Sequence, residues 1–183
     1  MIKIKKTKFN IFILGDTQVG KTSLLEVFRE NTFNLDEFPT IGIDIFKEKI
    51  SIEGFEYKLK IFDTSGKEKY KNIIIPKLHL ADGFIFVFSV DNKESLKQID
   101  ILMHIIDEVV KLKKIKILVG NKIDIKDREI KNEEGVKFAK EKNLKYFEAS
   151  AKTGFSVKEL FNQIIYELYK SNKQYELINN IKD

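Results

Sequence analysis

The sequence predicts an α/β protein whose mostly parallel, six-stranded sheet carries helices on both faces. Three observations lead there. Short apolar, β-prone runs alternate with longer segments of helical period along the 183 residues. One pair of runs alternates apolar with charged residues about a glycine turn, the pattern of an antiparallel hairpin. The other runs are apolar throughout or nearly so, as parallel strands covered on both faces should be.

In chain order, Phe9 to Leu14 is apolar with one polar break at Asn10 and reads as a buried strand. Thr22 to Glu30 sets Leu24, Leu25 and Phe28 on one helical face. Ile43 to Ile52 and Tyr57 to Phe62 flank Glu53-Gly54 and form the hairpin. Gly83 to Val90 and Ile115 to Val119 are buried strands, and Lys145 to Glu148 is a shorter one. Ser95 to Lys113 carries Leu96, Ile99, Leu102, Ile106, Val109 and Val110 at helical spacing. Asn132 to Lys142 is a polar helix with Val136 and Ala139 facing inward, and Val157 to Lys170 aligns Leu160, Phe161, Ile164, Ile165 and Leu168. No repeat or linker interrupts the pattern. Residues 1–183 therefore read as one domain with a short basic N-terminal and a polar C-terminal extension.

Composition narrows the class. Hydrophobic residues at 43% and charged residues at 33% fit a globular chain rather than a disordered one. The net charge is +5, yet Arg29 and Arg128 are the only arginines among 33 basic residues. Arginine is the residue of bidentate base and phosphate readout, so this balance argues against nucleic-acid binding. Attraction of lysine faces to anionic membrane surfaces stays open. The absence of cysteine excludes disulfides, thiolate metal sites and cysteine nucleophiles, and suits a reducing compartment. MIKIKKTKF lacks the apolar run of a signal peptide, and no apolar stretch reaches membrane-spanning length. The expected location is the cytoplasm, or the cytosolic face of endomembranes as a peripheral protein.

The strongest local motif is GDTQVGKT, Gly15 to Thr22, directly after the first strand and opening the first helix. That context is what a phosphate-binding loop requires. Gly15 and Gly20 let the backbone turn tightly, so that successive amides can point at a β-phosphate. The helix N-terminus adds its positive end. The loop assigns phosphate contacts to Asp16, Thr17, Gln18, Val19, Gly20, Lys21, Thr22 and Ser23. Lys21 supplies a point charge for the β- and γ-phosphates, and Thr22 offers its hydroxyl to Mg²⁺. By itself the loop does not choose between ATP and GTP.

NKID, Asn121 to Asp124, stands at the end of the fifth strand, where open α/β sheets place ligand-binding loops. An Asp124 carboxylate can accept from both the ring N–H and the exocyclic amine of guanine. Adenine has no such pair, and a buried carboxylate would be left unpaired against it. Asn121 can tie this loop back to the phosphate loop, and the Lys122 stem can lie over the purine. SAK, Ser150 to Lys152, follows the last strand, and backbone amides around Ala151 suit the guanine carbonyl oxygen.

With these motifs in this order, the chain resembles a small GTPase of the Ras superfamily, closest to the Rab branch, over roughly Lys8 to Lys173. PTIGIDI, Pro39 to Ile45, resembles the Rab first switch, and KLKIFDTSGKEKY, Lys58 to Tyr70, the strand and second switch that follow. The resemblance implies a P-loop NTPase G domain that binds GTP and GDP with Mg²⁺. It implies that Thr40 gives its hydroxyl to Mg²⁺ and its N–H to the γ-phosphate, that Asp63 holds Mg²⁺ through water, and that the Gly66 amide meets the γ-phosphate. Phe33 matches the aromatic that packs on guanine, with Pro39 beside it, although a core contact at the helix end explains Phe33 as well. Lys21, Thr40, Gly66 and the residue at 67 would carry catalysis. Effectors, exchange factors and GTPase-activating proteins are the implied partners of a monomer.

Three departures stand out. Lys67 occupies the place of a glutamine that orients the attacking water; an ammonium only donates and cannot accept from that water. It can pair with the γ-phosphate or simply be solvated, and slow intrinsic hydrolysis is expected either way. Gln18 stands where glycine or alanine is usual, pointing either toward the phosphates or outward. The sequence ends INNIKD rather than in the cysteines that Rab proteins prenylate, which leaves membrane association open. The expectation is a Rab-like switch in vesicle trafficking, with a hydrolysis-deficient GTP-binding interaction module as the alternative.

Overall fold

β1 (Lys8–Leu14) lies at the centre of a sheet of order β2-β3-β1-β4-β5-β6. The computed structural model describes residues 7–33, 39–67 and 71–181. The basic stretch before residue 7 and positions 68–70 of the second-switch stretch lie outside the described residues.

β2 (Ile43–Ile52) and β3 (Phe55–Thr64) form the expected hairpin, antiparallel, with Ile52 opposite Phe55. Glu53 and Gly54 between them have φ of 49° and 80°, the two left-handed residues of a tight turn that matches strand twist. β3 runs parallel to β1, as do β4 (Gly83–Ser89), β5 (Ile115–Asn121) and β6 (Lys145–Glu148) in succession. From β1 the chain passes to β3 on one side and then to β4 on the other. The point where strand order reverses therefore sits at the C-terminal end of β1, where such sheets bind ligands.

Period-2 alternation divides the core in two. Ile11, Ile13, Ile85, Val87, Ile117 and Val119 face α1 (Lys21–Glu30) and α5 (Val157–Ile181), where Phe28 stacks on Phe161 at 4.3 Å. Phe12, Phe84, Phe86, Phe88 and Leu118 face the other way, toward α2 (Lys71–Ile74), α3 (Lys93–Val109) and α4 (Asn132–Glu141). Both faces are covered, which is why the central strands read as unbroken apolar runs.

Several boundaries move. α3 begins at Lys93 because the Asn92 side chain accepts from the amides of Glu94 and Ser95, and it stops at Val109 rather than Lys113. Val110 is extended, and the lysine-rich residues that follow carry the chain to β5. β3 continues two residues past Phe62, because the buried Thr64 hydroxyl donates to the Ile13 carbonyl at 2.7 Å. α5 extends to Ile181, beyond Lys170; the Tyr169 hydroxyl donates to Glu53 at 2.6 Å and Lys173 pairs with the same carboxylate, pinning this helix to the hairpin turn. α2 and the 3₁₀ turn Ile75–Leu80 behind it were not expected: they are short, and Pro76 breaks their period.

Candidate functional site

The C-terminal ends of the parallel strands open onto a cavity of about 420 Å³. It is lined by Thr17, Gln18, Gly20, Lys21, Thr22 and Ser23 from the loop after β1 and by Phe33, Pro39 and Thr40 from the segment before β2. Thr64, Ser65 and Gly66 close it at the end of β3, and Asn121, Lys122, Asp124, Ile125, Ala151 and Lys152 form the far wall. Sequence reasoning missed Thr64, Ser65 and Ile125 as lining residues. Ser65 is 7% exposed, and its place between two singled-out residues was the only signal for it.

At one end of the cavity the charge is concentrated. Lys21 is 6% exposed, and its ammonium donates to the carbonyls of Gly15 at 3.0 Å and Asp16 at 2.5 Å. Burial lowers its pKa to about 8, against the opposing pull of Asp63 and Asp16. A partly desolvated ammonium at the mouth of a loop of backbone amides gains most from an anionic ligand. Gln18 lies in the same loop with φ of 60°, a left-handed conformation costing a non-glycine residue roughly 1–2 kcal/mol; it is exposed and borders the cavity.

Three oxygen-bearing side chains converge below Lys21. The Thr22 and Thr40 hydroxyls are 2.9 Å apart and reach Asp63 Oδ2 at 2.6 and 3.3 Å. Asp63 is 2% exposed, and its Oδ1 has no hydrogen-bond partner among the described residues. Burial raises the Asp63 carboxyl above its usual range, offset in part by the Thr22 hydroxyl and the Lys21 charge. An all-oxygen donor set with one orphaned carboxylate oxygen suits a hard divalent cation such as Mg²⁺, which takes few protein ligands and keeps water. No cluster of acidic and histidine ligands for another kind of metal occurs among the described residues.

Gly66 approaches the phosphate loop so closely that a Cβ there would lie 2.2 Å from the Thr17 nitrogen and 2.3 Å from the Asp16 carbonyl carbon. Only glycine permits this contact between the two loops. Lys67 does not line the main cavity. Its backbone N–H donates to Ser65 Oγ at 3.3 Å, and the residue borders a neighbouring cavity of about 320 Å³ against α3. Asp16 borders that second cavity too, its carboxylate turned back onto the Thr17 amide at 2.6 Å. Val19 is in the core, and neither it, Asp63 nor Ser150 borders the main cavity.

At the other end the buried Asn121 joins three segments. Its Nδ2 donates to the Val19 carbonyl at 2.9 Å, and its Oδ1 accepts from the Ala151 amide at 3.1 Å. The fully buried Ser150 donates to Asp124 Oδ1 at 2.6 Å, while Lys152 stands 4.0 Å from Asp124 Oδ2. Lys122, with φ of 66°, borders the cavity and holds its ammonium 3.5 Å from Asp91. Asp124 thus has one oxygen fixed by Ser150 and the other near the Lys152 ammonium.

A strand-to-helix loop with a buried lysine at the switch point of a doubly wound sheet defines a nucleotide-binding protein of the phosphate-loop class. The family model described as Ras family matches residues 10–170. Ras-related protein Rab-18 of Lymnaea stagnalis is 35% identical over 166 residues, covering 90% of this chain and 82% of that protein. Ras-related protein Rab-13 of Bos taurus is 33% identical over 183 residues, 100% of this chain and 90% of that one. Ras-related protein Rab-26 of Mus musculus is 35% identical over 162 residues, 87% and 62% respectively. The chain belongs to the Ras family and is a Rab-like small GTPase, a GTP-binding switch.

Proposed function

We propose that this chain binds GTP and GDP with Mg²⁺, hydrolyses GTP slowly, and signals in vesicle trafficking by binding effectors only in the GTP state. The observation that carries this reading is a single cavity lined by Lys21, Thr22 and Thr40 and by Asp124, with the buried Asp63 carboxylate accepting from both threonine hydroxyls behind it. Lys21 and the amides from Asp16 to Ser23 bind the phosphates. Thr22, Thr40 and Asp63 would hold Mg²⁺, whose charge would offset that of the phosphates. Asp124, Ala151 and Lys152 read the guanine, with Ser150 and Asn121 fixing their register and Phe33, Pro39 and Lys122 enclosing the base. The Thr40 and Gly66 amides meet the γ-phosphate, so its loss frees both loops and ends effector binding. Exchange factors and GTPase-activating proteins would set the lifetime of each state. No helix among the described residues is long and apolar enough to cross a membrane. The cytoplasm and the cytosolic face of endomembranes are the proposed locations.

Hydrolysis proceeds by in-line attack of water, with Lys21 and the loop amides stabilising the charge that develops on the phosphates. Lys67 cannot accept a hydrogen bond from that water. This observation favours a second reading, a GTP-binding interaction module that hardly hydrolyses. Single-turnover rates of the native chain and Lys67→Gln, measured without activator, test the choice. Lys67→Gln is expected to be roughly tenfold faster, about 1.4 kcal/mol of recovered transition-state stabilisation. Equal rates would shift the defect to Gln18. No turnover in either chain, even with an activating protein, would establish the interaction module.

A further inference from the structure

Arg29 and Arg128 are the only arginines among 33 basic residues, so what an arginine does here that lysine does elsewhere is informative. Arg29 lays its guanidinium over the Phe46 ring at 4.4 Å, a stacking role. Arg128 does something else. Its Nη1 donates to Glu148 Oε2 at 3.3 Å, its Nη2 pairs with Oε1, and its Nε donates to the Ile130 carbonyl at 3.1 Å. Three donors in one plane serve three acceptor oxygens, two on Glu148 and one on Ile130, a fork that a lysine ammonium cannot reproduce. The side chains are 25% and 18% exposed, so water screens this pair less than an ordinary surface ion pair.

Both ends of the pair sit next to the cavity walls without lining them. Arg128 sits in the loop that leaves Asp124, a loop also fixed to the end of β4 where the Glu129 and Ile130 amides donate to the Val90 carbonyl. Glu148 is the last residue of β6, immediately before Ala149, Ser150 and Ala151. Beyond it, the Ala149 amide donates to Gly120, Ser150 donates to Asp124, and the Ala151 amide donates to Asn121. Glu148 is itself held from below: the Tyr146 hydroxyl donates to its Oε1 at 3.2 Å. The Tyr146 ring fits under α4 only because residue 135 is glycine, where a Cβ would lie 2.4 Å from the hydroxyl oxygen. Burial alone would raise the Glu148 carboxyl, but hydrogen bonds from Arg128 and Asn132 bring it below its usual range.

We infer that Arg128 and Glu148 form a clamp that holds the Asp124 loop and the Ser150–Ala151 loop in register, making Arg128 a positioning residue for guanine recognition. The inference rests on the proposed role of Asp124. Without the clamp, Ser150 and the Asp124 carboxylate lose their fixed separation, and the carboxylate that would accept from the exocyclic amine shifts with it. Inosine nucleotides lack this amine, so they report the clamp selectively.

The test measures release of fluorescent GDP and of fluorescent IDP from the full chain by stopped flow, for native protein, Arg128→Lys, Glu148→Gln and the double variant. Both single variants are expected to speed GDP release about tenfold, equivalent to about 1.4 kcal/mol, and to narrow the GDP-to-IDP difference about threefold. The double variant should be no worse than either single one, because the same contact is lost. A native GDP-to-IDP difference in Arg128→Lys and Glu148→Gln, even with a lowered melting temperature, would reduce the pair to ordinary stabilisation and overturn the inference. Asp124→Asn, run alongside, separates the two levels. If it releases GDP quickly while Arg128→Lys behaves as native, only the clamp fails. If it releases GDP at the native rate, the base-loop reading fails and the clamp with it.

Discussion

Replacing Asn121 by alanine should uncouple the phosphate loop from the base site. Asn121 is 1% exposed and makes two hydrogen bonds to buried backbone: its amide nitrogen donates to Val19 at 2.9 Å, and its oxygen accepts from Ala151 at 3.1 Å. Val19 and Ala151 are 1% and 4% exposed, so water replaces the lost partners poorly. A buried backbone group left unpaired costs about 1–3 kcal/mol, which gives about 2–6 kcal/mol for the two. Part of this weakens the fold, and part is lost binding, since one group belongs to the phosphate loop and the other to the base wall. We expect GDP release to quicken by roughly 10²-fold or more, about 2.7 kcal/mol. Asn121→Asp should be as severe, because its carboxylate keeps the acceptor for Ala151 but turns an oxygen toward the Val19 carbonyl. Stopped-flow release of fluorescent GDP, with thermal melts on the same preparations, reads both effects. Release within twofold of native for both variants would refute the reasoning.

Two further outcomes follow from the same geometry. Asp124→Asn should weaken GDP binding by about 2 kcal/mol or more and shift preference toward xanthine nucleotides, because the new amide can donate to the xanthine carbonyl; isothermal titration with GDP and XDP checks it. Chelating Mg²⁺ should speed GDP release roughly tenfold, about 1.4 kcal/mol, and Thr22→Asn should favour GDP over GTP; release rates indifferent to chelator would count against the Thr22, Thr40 and Asp63 arrangement.

Where a backbone geometry demands particular residue types, the sequence is explicit. Gly15 to Thr22 after an apolar strand is legible because a phosphate loop needs glycines, a lysine and a hydroxyl at fixed offsets. Asn121 was expected to bridge back to the phosphate loop, and its amide does reach Val19. The hairpin about Glu53-Gly54 was legible for the same reason, since its turn needs two left-handed residues. Other features depend on distant partners and leave no local mark. Thr64 and Ser65 are polar yet buried, and only the neighbouring Ile13 carbonyl explains why Thr64 continues a strand. The end of α3 at Val109 is set by the need to reach β5, against an apolar period that continues to Val110. Lys67 could be flagged by its chemistry, but not its position beside α3, away from the main cavity. The Arg128–Glu148 pair joins two loops that adjoin only in the folded sheet.

The central claim, a switch built to read guanine, is tested most directly by competition. Fluorescent GDP bound to the full chain in Mg²⁺ buffer is displaced with GDP, GTP, ADP and ATP in parallel titrations. GDP and GTP should displace it at concentrations roughly 10³-fold or more below those of ADP and ATP, because adenine leaves the Asp124 carboxylate, whose side chain is 18% exposed, without donors. Displacement by ADP at concentrations comparable with GDP would contradict the assignment of Asp124 and with it the guanine specificity of the site.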